Sequence, residues 1–206
     1  MAIADELEND LKWREAELAV LKASTMGTPQ ADARGRSMRR AYLAMLYAHY
    51  EGFAQFAWQT YLLQLRKTSC PIQDLCTELQ VVFSSSLIGE LRKTEQTGIL
   101  EKVRDLVSHL AAAAKPEMSP PETANLWPDV YVETARWLGL PFDYVEQHRQ
   151  DLKALVSRRN DVAHGKKMEV DDDALKRLEN AVWSVLMNLS VDLVDRLEKQ
   201  MYLAPH

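Results

Sequence analysis

The stretch AYLAMLYAHYEGFAQFAWQTYLLQL, residues 41–65, is apolar on nearly every side of a helix. A helix of this kind is buried on most of its surface, either at the centre of a bundle or within a membrane. Polar residues interrupt it, among them His49, Glu51, Gln55 and Gln59. Because a carboxylate in the middle of a bilayer is costly, the stretch predicts a central core helix over about 36–67 and no membrane span.

The helical period recurs along most of the chain. Further helices are predicted over 3–24, 70–83, 87–115 with a kink near Gly98, 128–139, 141–165, and from the acidic run at 171–173 onward. The last helix carries leucines from Leu175 to Leu197 in one apolar row, which serves as core or as a dimer surface. No strand alternation and no internal repeat are found. The fold class is therefore an all-α bundle of long antiparallel helices.

A chain of 206 residues fits one domain, 1–206, and is long enough to bury a sizeable core. Within it we expect an N-terminal helix inside 1–30 and a proline-rich loop at 116–128, in the stretch KPEMSPPETANLWP. The charged N-terminus is not a secretory signal, and Cys70 and Cys76 are expected as free thiols, so the cytoplasm is the expected compartment.

The charge balance and the absence of common catalytic motifs argue against several classes of function. The net charge is −5, so an RNA partner would need a local basic patch. HExxH, GxSxG and the glycine-rich phosphate loop are absent. No two of the five histidines have the i,i+4 spacing of a metal pair. We therefore expect neither a metal nor another cofactor.

The stretch SRRNDVAHG, 157–165, brings together the side chains best suited to catalysis in this sequence. Arg159 and His164 are five residues apart and would converge if the helix loosened at its end, which Gly165 permits. An imidazole that titrates near neutrality can move the proton of an RNA 2′-hydroxyl, and a guanidinium can bind the phosphate. This chemistry needs no metal. It needs both an acid and a base, which two chains meeting face to face would supply.

RNDVAH, 159–164, resembles the R-x4-6-H signature of the HEPN superfamily. LYAHYEGFAQFA, in the central helix, and NLWPDVYVETARWLGL, before the RNDVAHG helix, resemble the small MAE-type HEPN proteins. The resemblance covers roughly 8–203. It implies a helical bundle, a homodimer with a composite cleft, and metal-independent ribonuclease activity in a toxin–antitoxin or phage-defence setting.

The resemblance assigns the arginine role to Arg159, the histidine role to His164 and the adjacent polar position to Asn160. Arg158 also fits the spacing, so the primary arginine stays open. Lys166 and Lys167 extend the basic cluster and are candidates for drawing in the phosphate backbone.

Further candidates are Glu51, His49 and Asp161. They could orient Arg159 or His164 through hydrogen bonds without contacting the RNA. The alternative for His49 and Glu51 is a satisfied buried group, paired with an arginine from a facing helix. For Asn160 and Asp161 the alternative is a local cap or an ion pair with Arg158. For Arg159 and His164 it is a basic helix cap.

Three functions follow from these features. The first is a homodimeric endoribonuclease that cuts tRNA, rRNA or mRNA by 2′-OH transesterification, as a toxin or defence effector. The second is a HEPN module that binds RNA or a partner protein without cutting. The third is the antitoxin or scaffold half of a complex.

Overall fold

The chain forms a bundle of helices in a computed structural model, which describes residues 3–113 and 125–205. The predicted all-α class is confirmed. Those residues contain eight α-helices: α1 Ile3–Met26, α2 Ala33–Lys67, α3 Thr77–Lys93, α4 Ile99–Ala111, α5 Pro128–Trp137, α6 Asp143–Gln147, α7 Arg149–Ala163 and α8 Asp172–Glu198. Two 3₁₀ turns, Ile72–Asp74 and Gln96–Gly98, flank α3.

Helix α2 is the centre of the bundle, as its sequence predicts. It packs against α1, α7 and α8, and its largest fully buried side chains are Trp58, Tyr42, Tyr47, Tyr50, Tyr61 and Phe53. Burying each such side chain is worth about 1.5–3 kcal/mol, so this helix supplies much of the hydrophobic stabilisation. In the part of the chain that the structure describes, no helix is long and apolar enough to cross a membrane.

Three predicted helix boundaries are wrong. The helix expected from residue 70 begins only at Thr77, after the 3₁₀ turn Ile72–Asp74. The break expected between 83 and 87 does not occur, because α3 continues through a buried Ser84 to Lys93. The chain turns instead at Thr94, which is extended, and at the 3₁₀ turn before α4. The helix expected over 141–165 is two helices, separated at His148. Residues 114–124, most of the predicted proline-rich loop, lie outside the described residues.

Ion pairing fixes the end of the bundle where α8 begins. Asp171 accepts a hydrogen bond from the Ala174 N–H at 2.6 Å and caps α8, as the acidic run predicts. The buried Arg39 of α2 donates to both carboxylate oxygens of Asp172, at 2.7 and 3.0 Å. Gly35 lets the chain turn in beside this arginine, because a Cβ there would lie 1.9 Å from the Pro29 carbonyl oxygen.

Candidate functional site

Arg159 continues the buried face of α7. Leu152, Leu155 and Val156 are fully buried on that face, and Arg159 follows at helical spacing. The side chain is therefore directed towards α2 although it is charged. Arg158 lies about 100° further round the helix and makes no hydrogen bond or ion pair in the described residues. The structure thus separates two arginines that the sequence spacing leaves equivalent.

The Arg159 guanidinium is held from three sides. Its Cζ lies 4.6 Å from the centre of the Tyr47 ring, within the range of a cation–π contact. Its Nη1 donates to Asn125 Oδ1 and to Asn160 Oδ1, both at 3.1 Å. These four residues, with Glu51 behind Tyr47, are called the arginine cluster below. Asn160, the polar residue adjacent to the arginine in the signature, therefore contacts Arg159 directly.

The Tyr47 hydroxyl is fully used in holding this cluster together. It donates to Glu51 Oε1 at 2.8 Å and accepts from the Leu126 N–H at 2.9 Å. Burial raises the pKa of Tyr47 well above its ordinary value, and the bond to Glu51 raises it further, against the opposing effects of Leu126 and Arg159. Tyr47 is therefore a neutral, fixed platform under the guanidinium.

One edge of Arg159 stays open for a ligand. Within the described ranges its Nε and Nη2 make no hydrogen bond. Two such N–H groups match the spacing of two phosphate oxygens, which an arginine binds as a planar fork. The geometry is that of an anion site whose cation is already oriented.

His164 lies at the exposed end of α7. Its N–H donates to the Asn160 carbonyl at 2.9 Å, so the last helical turn is intact. Gly165, at φ +69°, then reverses the chain, with its N–H on the Val162 carbonyl and the Lys166 N–H on the Asp161 carbonyl. The imidazole makes no hydrogen bond or ion pair with any described residue.

The expected loosening between Arg159 and His164 is wrong, because α7 stays regular to Ala163 and the N–H of the capping residue His164 still bonds to the Asn160 carbonyl. In a regular helix, residues five apart lie about 140° apart around the axis. Arg159 and His164 therefore point in different directions from the axis of α7, and the structure does not bring them into contact.

The other basic candidates lie beyond the helix end. Lys166 Nζ is 2.7 Å from Asp161 Oδ1, and both side chains are exposed enough that the pair contributes little to stability. Asp161 is therefore paired with Lys166 and not with Arg158. Lys167 is exposed and has no partner among the described residues.

The family of the chain is decided by comparison with known families. The model of the MAE_28990-like HEPN family matches residues 3–202, nearly the whole chain. The chain belongs to this HEPN family. No curated protein and no solved structure matches it. Membership indicates a ribonuclease or a nucleotide-binding module, and it confirms the resemblance that RNDVAH and the central helix carry.

His49, the other conspicuous group on the central HEPN helix, has no contact with Arg159 or His164 in the part of the chain that the structure describes. Positions 49 and 51 are about 200° apart around α2, so His49 faces α1 while Glu51 lies beside Tyr47. Arg14 Nη1 lies 3.3 Å from His49 Nδ1, and Glu17 Oε2 lies 2.8 Å from Nε2. This is the alternative expected from the sequence, a buried group paired with an arginine of a facing helix.

The contacts of His49 fix its protonation. An arginine only donates, so Nδ1 accepts and the ring proton sits on Nε2, towards Glu17. Burial lowers the pKa of His49 below its ordinary 6.5, and the Arg14 charge lowers it further, against the opposing effect of Glu17. Nε2 is within ion-pair distance of Glu17 but does not meet hydrogen-bond geometry, so the imidazole joins α1 to α2 through Arg14 and the nearby Glu17 charge.

Two residues of the arginine cluster were not predicted as site residues. The sequence pattern predicts Tyr47 as a core residue, and it is buried. The Arg159 guanidinium nevertheless lies over the face of its ring. Asn125 precedes Leu126 at the end of the proline-rich stretch, where nothing in the spacing relates it to α7. In the described ranges no group of three His, Cys, Asp or Glu is placed to hold a metal, and both cysteines are free thiols.

Proposed function

We propose that the chain is an endoribonuclease that cleaves RNA without a metal, by attack of the 2′-hydroxyl on the adjacent phosphodiester. The observation that carries the proposal is the arginine cluster. A guanidinium held by Tyr47 and two asparagines, with Nε and Nη2 unbonded among the described residues, lies five residues before an exposed histidine at the C-terminal cap of α7. The HEPN family match supports the same chemistry.

The role of Arg159 is to bind the phosphate. In the reaction the 2′-oxygen bonds to phosphorus and the bond from phosphorus to the 5′-oxygen breaks, which leaves a 2′,3′-cyclic phosphate and a 5′-hydroxyl. Negative charge builds up on the non-bridging oxygens between these events. A guanidinium held in place before the reaction stabilises that charge without reorganising.

The role of His164 is proton transfer. One imidazole takes the proton of the 2′-hydroxyl and another gives a proton to the leaving 5′-oxygen. Because Arg159 and His164 of one subunit do not meet, we infer that the working site is shared by two subunits of a homodimer. The second subunit would bring the second imidazole. Lys166, Lys167 and Arg158 would attract the RNA backbone outside the cleft.

The first experiment is RNA cleavage in the presence of EDTA. Purified protein is incubated with tRNA and total RNA, and the products are tested for 2′,3′-cyclic phosphate ends. We expect cleavage with EDTA present. Cleavage that appears only when a divalent metal is added would contradict the mechanism.

His164→Ala is the decisive variant, with His148→Ala as its control at the other end of α7. Loss of a general acid or base costs about 10²–10⁴-fold in rate. We expect that loss for His164→Ala and a wild-type rate for His148→Ala. A His164→Ala protein that cuts as fast as the parent would exclude this site.

Cross-linking tests the shared cleft. His164→Cys is treated with a short bismaleimide, beside the unmodified protein, which reports on the native cysteines. Lys93→Cys, at the exposed end of α3, is the second control. We expect a covalent dimer for His164→Cys alone. A monomer on size-exclusion chromatography that still cuts RNA would refute the shared site.

One observation favours a second function, a HEPN module that binds RNA or a partner protein without cutting. The phosphate-binding half of the signature is ordered, whereas the imidazole of His164 has no partner to orient it among the described residues. Expression in a bacterial host separates the two. A nuclease of the toxin or defence type, acting in the cytoplasm, should arrest growth unless His164 is replaced, whereas a binding module should not.

A further inference from the structure

Asn125 lies outside α7, yet the fold holds it beside Arg159. The next residue, Leu126, is fully buried, and its N–H donates to the Tyr47 hydroxyl at 2.9 Å. The Trp127 N–H donates to the Asn125 backbone carbonyl at 3.0 Å, immediately before α5 begins. The position of Asn125 is therefore fixed by its own segment of the chain before any ligand binds.

The contact with Arg159 also fixes which way round the Asn125 amide lies. A guanidinium only donates hydrogen bonds, so the amide atom that lies 3.1 Å from Arg159 Nη1 is the oxygen Oδ1. The other hydrogen of Nη1 has its acceptor in Asn160 Oδ1, also at 3.1 Å. With Nη1 fully used, the side of the Asn125 amide that is left for a ligand is its nitrogen, Nδ2.

Asn125 Nδ2 is unbonded and accessible. It makes no hydrogen bond to any described residue, and it is not one of the enclosed polar atoms that lack a partner there. The residue as a whole is half-buried. Arg159 Nε and Nη2 share both properties. Because Oδ1 and Nδ2 are bonded to the same carbon, the free amide hydrogens lie within a few ångströms of the guanidinium.

These free groups are all donors, and they favour an anion with several acceptor oxygens. Arg159 Nε and Nη2 carry positive charge, and no carboxylate pairs with them in the described ranges. Asn125 Nδ2 adds the positive end of an amide dipole. A phosphodiester has two charged oxygens on one phosphorus atom and can accept from all three nitrogens. A base edge is uncharged and mixes donors with acceptors, so it fits this set less well.

We propose that Asn125 binds the RNA phosphate directly, through Nδ2, beside Arg159. The guanidinium holds both non-bridging oxygens, and the amide donates to one of them. The inference rests on the proposed function for the identity of the ligand, an RNA phosphate. It adds to the site a neutral donor from a segment outside α7, which orients the phosphate on Arg159 without adding charge.

Asn125→Ala is the first test, measured as binding of a short 2′-O-methyl oligoribonucleotide, which has no 2′-hydroxyl to react. Loss of one hydrogen bond to a charged oxygen should weaken binding by about tenfold or more. Asn188→Ala is the matched control, because this exposed asparagine of α8 donates to the Ser184 carbonyl of its own helix, at 2.7 Å. We expect parent-like binding for the control. Parent-like binding by folded Asn125→Ala would overturn the proposal.

Methylphosphonates separate a direct contact from a role in holding Arg159. Each of the two diastereomers replaces one non-bridging oxygen by a methyl group, and the substitution is moved along the oligonucleotide one phosphate at a time. At the bound phosphate, we expect the effect of Asn125→Ala to disappear for one diastereomer and to remain for the other. A residue that acts only through Arg159 would give the same factor for both, and that result would overturn the proposal.

Asn125→Asp is the second variant, since its carboxylate still accepts from Arg159 and preserves the packing if Asn125→Ala does not fold. We expect it to bind at least as weakly as Asn125→Ala, with the same dependence on the diastereomer. Parent-like binding would contradict the contact.

The contact and the nuclease activity can fail separately. A protein with the stereospecific Asn125 effect that cuts no RNA would refute the nuclease proposal alone. A protein that cuts RNA, but in which Asn125→Ala has no stereospecific effect, would refute the Asn125 contact alone.

Discussion

Arg159 and His164 lie five residues apart at the C-terminal end of α7, and the fold gives them opposite environments. Arg159 is on the buried face of α7, against Tyr47 and two asparagines. His164 is in solvent, beyond the last helical turn, with no partner among the described residues. The difference shows that the fold of a single chain orders the arginine of the signature and leaves the histidine side chain unconstrained.

Arg159→Ala should give the largest combined effect, because it removes a group that is both part of the site and part of the packing. We expect RNA cleavage to fall by about 10²–10³-fold, as for loss of one preorganised donor. The free energy of unfolding should fall by about 1–2 kcal/mol, measured by urea denaturation.

His164→Ala is the matched comparison for stability. An exposed side chain without partners should change the free energy of unfolding by less than about 0.5 kcal/mol. If the two variants destabilise the protein equally, the contrast between the inner and the outer residue is wrong. Arg159→Lys should recover little activity, because an ammonium lacks the planar fork.

Tyr47→Phe tests the platform under Arg159. The ring remains, but the Leu126 N–H loses its acceptor and Glu51 loses its donor. Leaving a buried polar group unpaired costs about 1–3 kcal/mol, so we expect that loss in the free energy of unfolding. Cleavage should fall by about tenfold, because Arg159 and Asn125 are less well fixed.

Tyr50→Phe, three residues on in α2, is the control for Tyr47→Phe. The Tyr50 hydroxyl is buried without a hydrogen-bond partner in the described residues, so its removal should be neutral or stabilising. A Tyr50→Phe protein as unstable as Tyr47→Phe would show that the hydroxyl contacts do not distinguish the two positions.

The buried His49 makes stability depend on pH. Its pKa in the folded protein is below the ordinary 6.5, so the unfolded chain binds the proton more readily. The free energy of unfolding should therefore fall as the pH is lowered from about 7.5 to about 5.5. His49→Gln should reduce that fall, measured by urea denaturation at both pH values. An unchanged pH dependence in His49→Gln would contradict the assignment.

The two lysines beyond His164 should give the smallest effects. Lys167→Ala should weaken RNA binding by a few fold and reduce its salt dependence, because an unpaired cation is removed. Lys166→Ala should do less, because Asp161 already neutralises that cation in part. Filter binding at two salt concentrations checks the order. A larger loss for Lys166→Ala would show that its pairing with Asp161 does not persist when RNA binds.

The fold was predictable from sequence because its signals are periodic and local. The apolar stretch at 41–65 predicted the central helix, and the acidic run at 171–173 predicted the start of α8. The boundaries near Ser84 and His148 were not predictable, since a serine within a helix and a one-residue break depend on what packs around them.

The sequence by itself determined the family, the all-α class and the helix that carries Arg159 and His164. Only the tertiary structure decided which of the two arginines faces α2 and which residues hold it. It also decided that His49 contacts α1 and not Arg159. The physical reason is that residue spacing fixes the direction in which each side chain leaves the helix axis. It does not fix which residues of other helices pack against that side chain. Tyr47 and Asn125 are 78 residues apart in the chain, and they meet Arg159 only because α2 and the segment before α5 pack against the same face of α7.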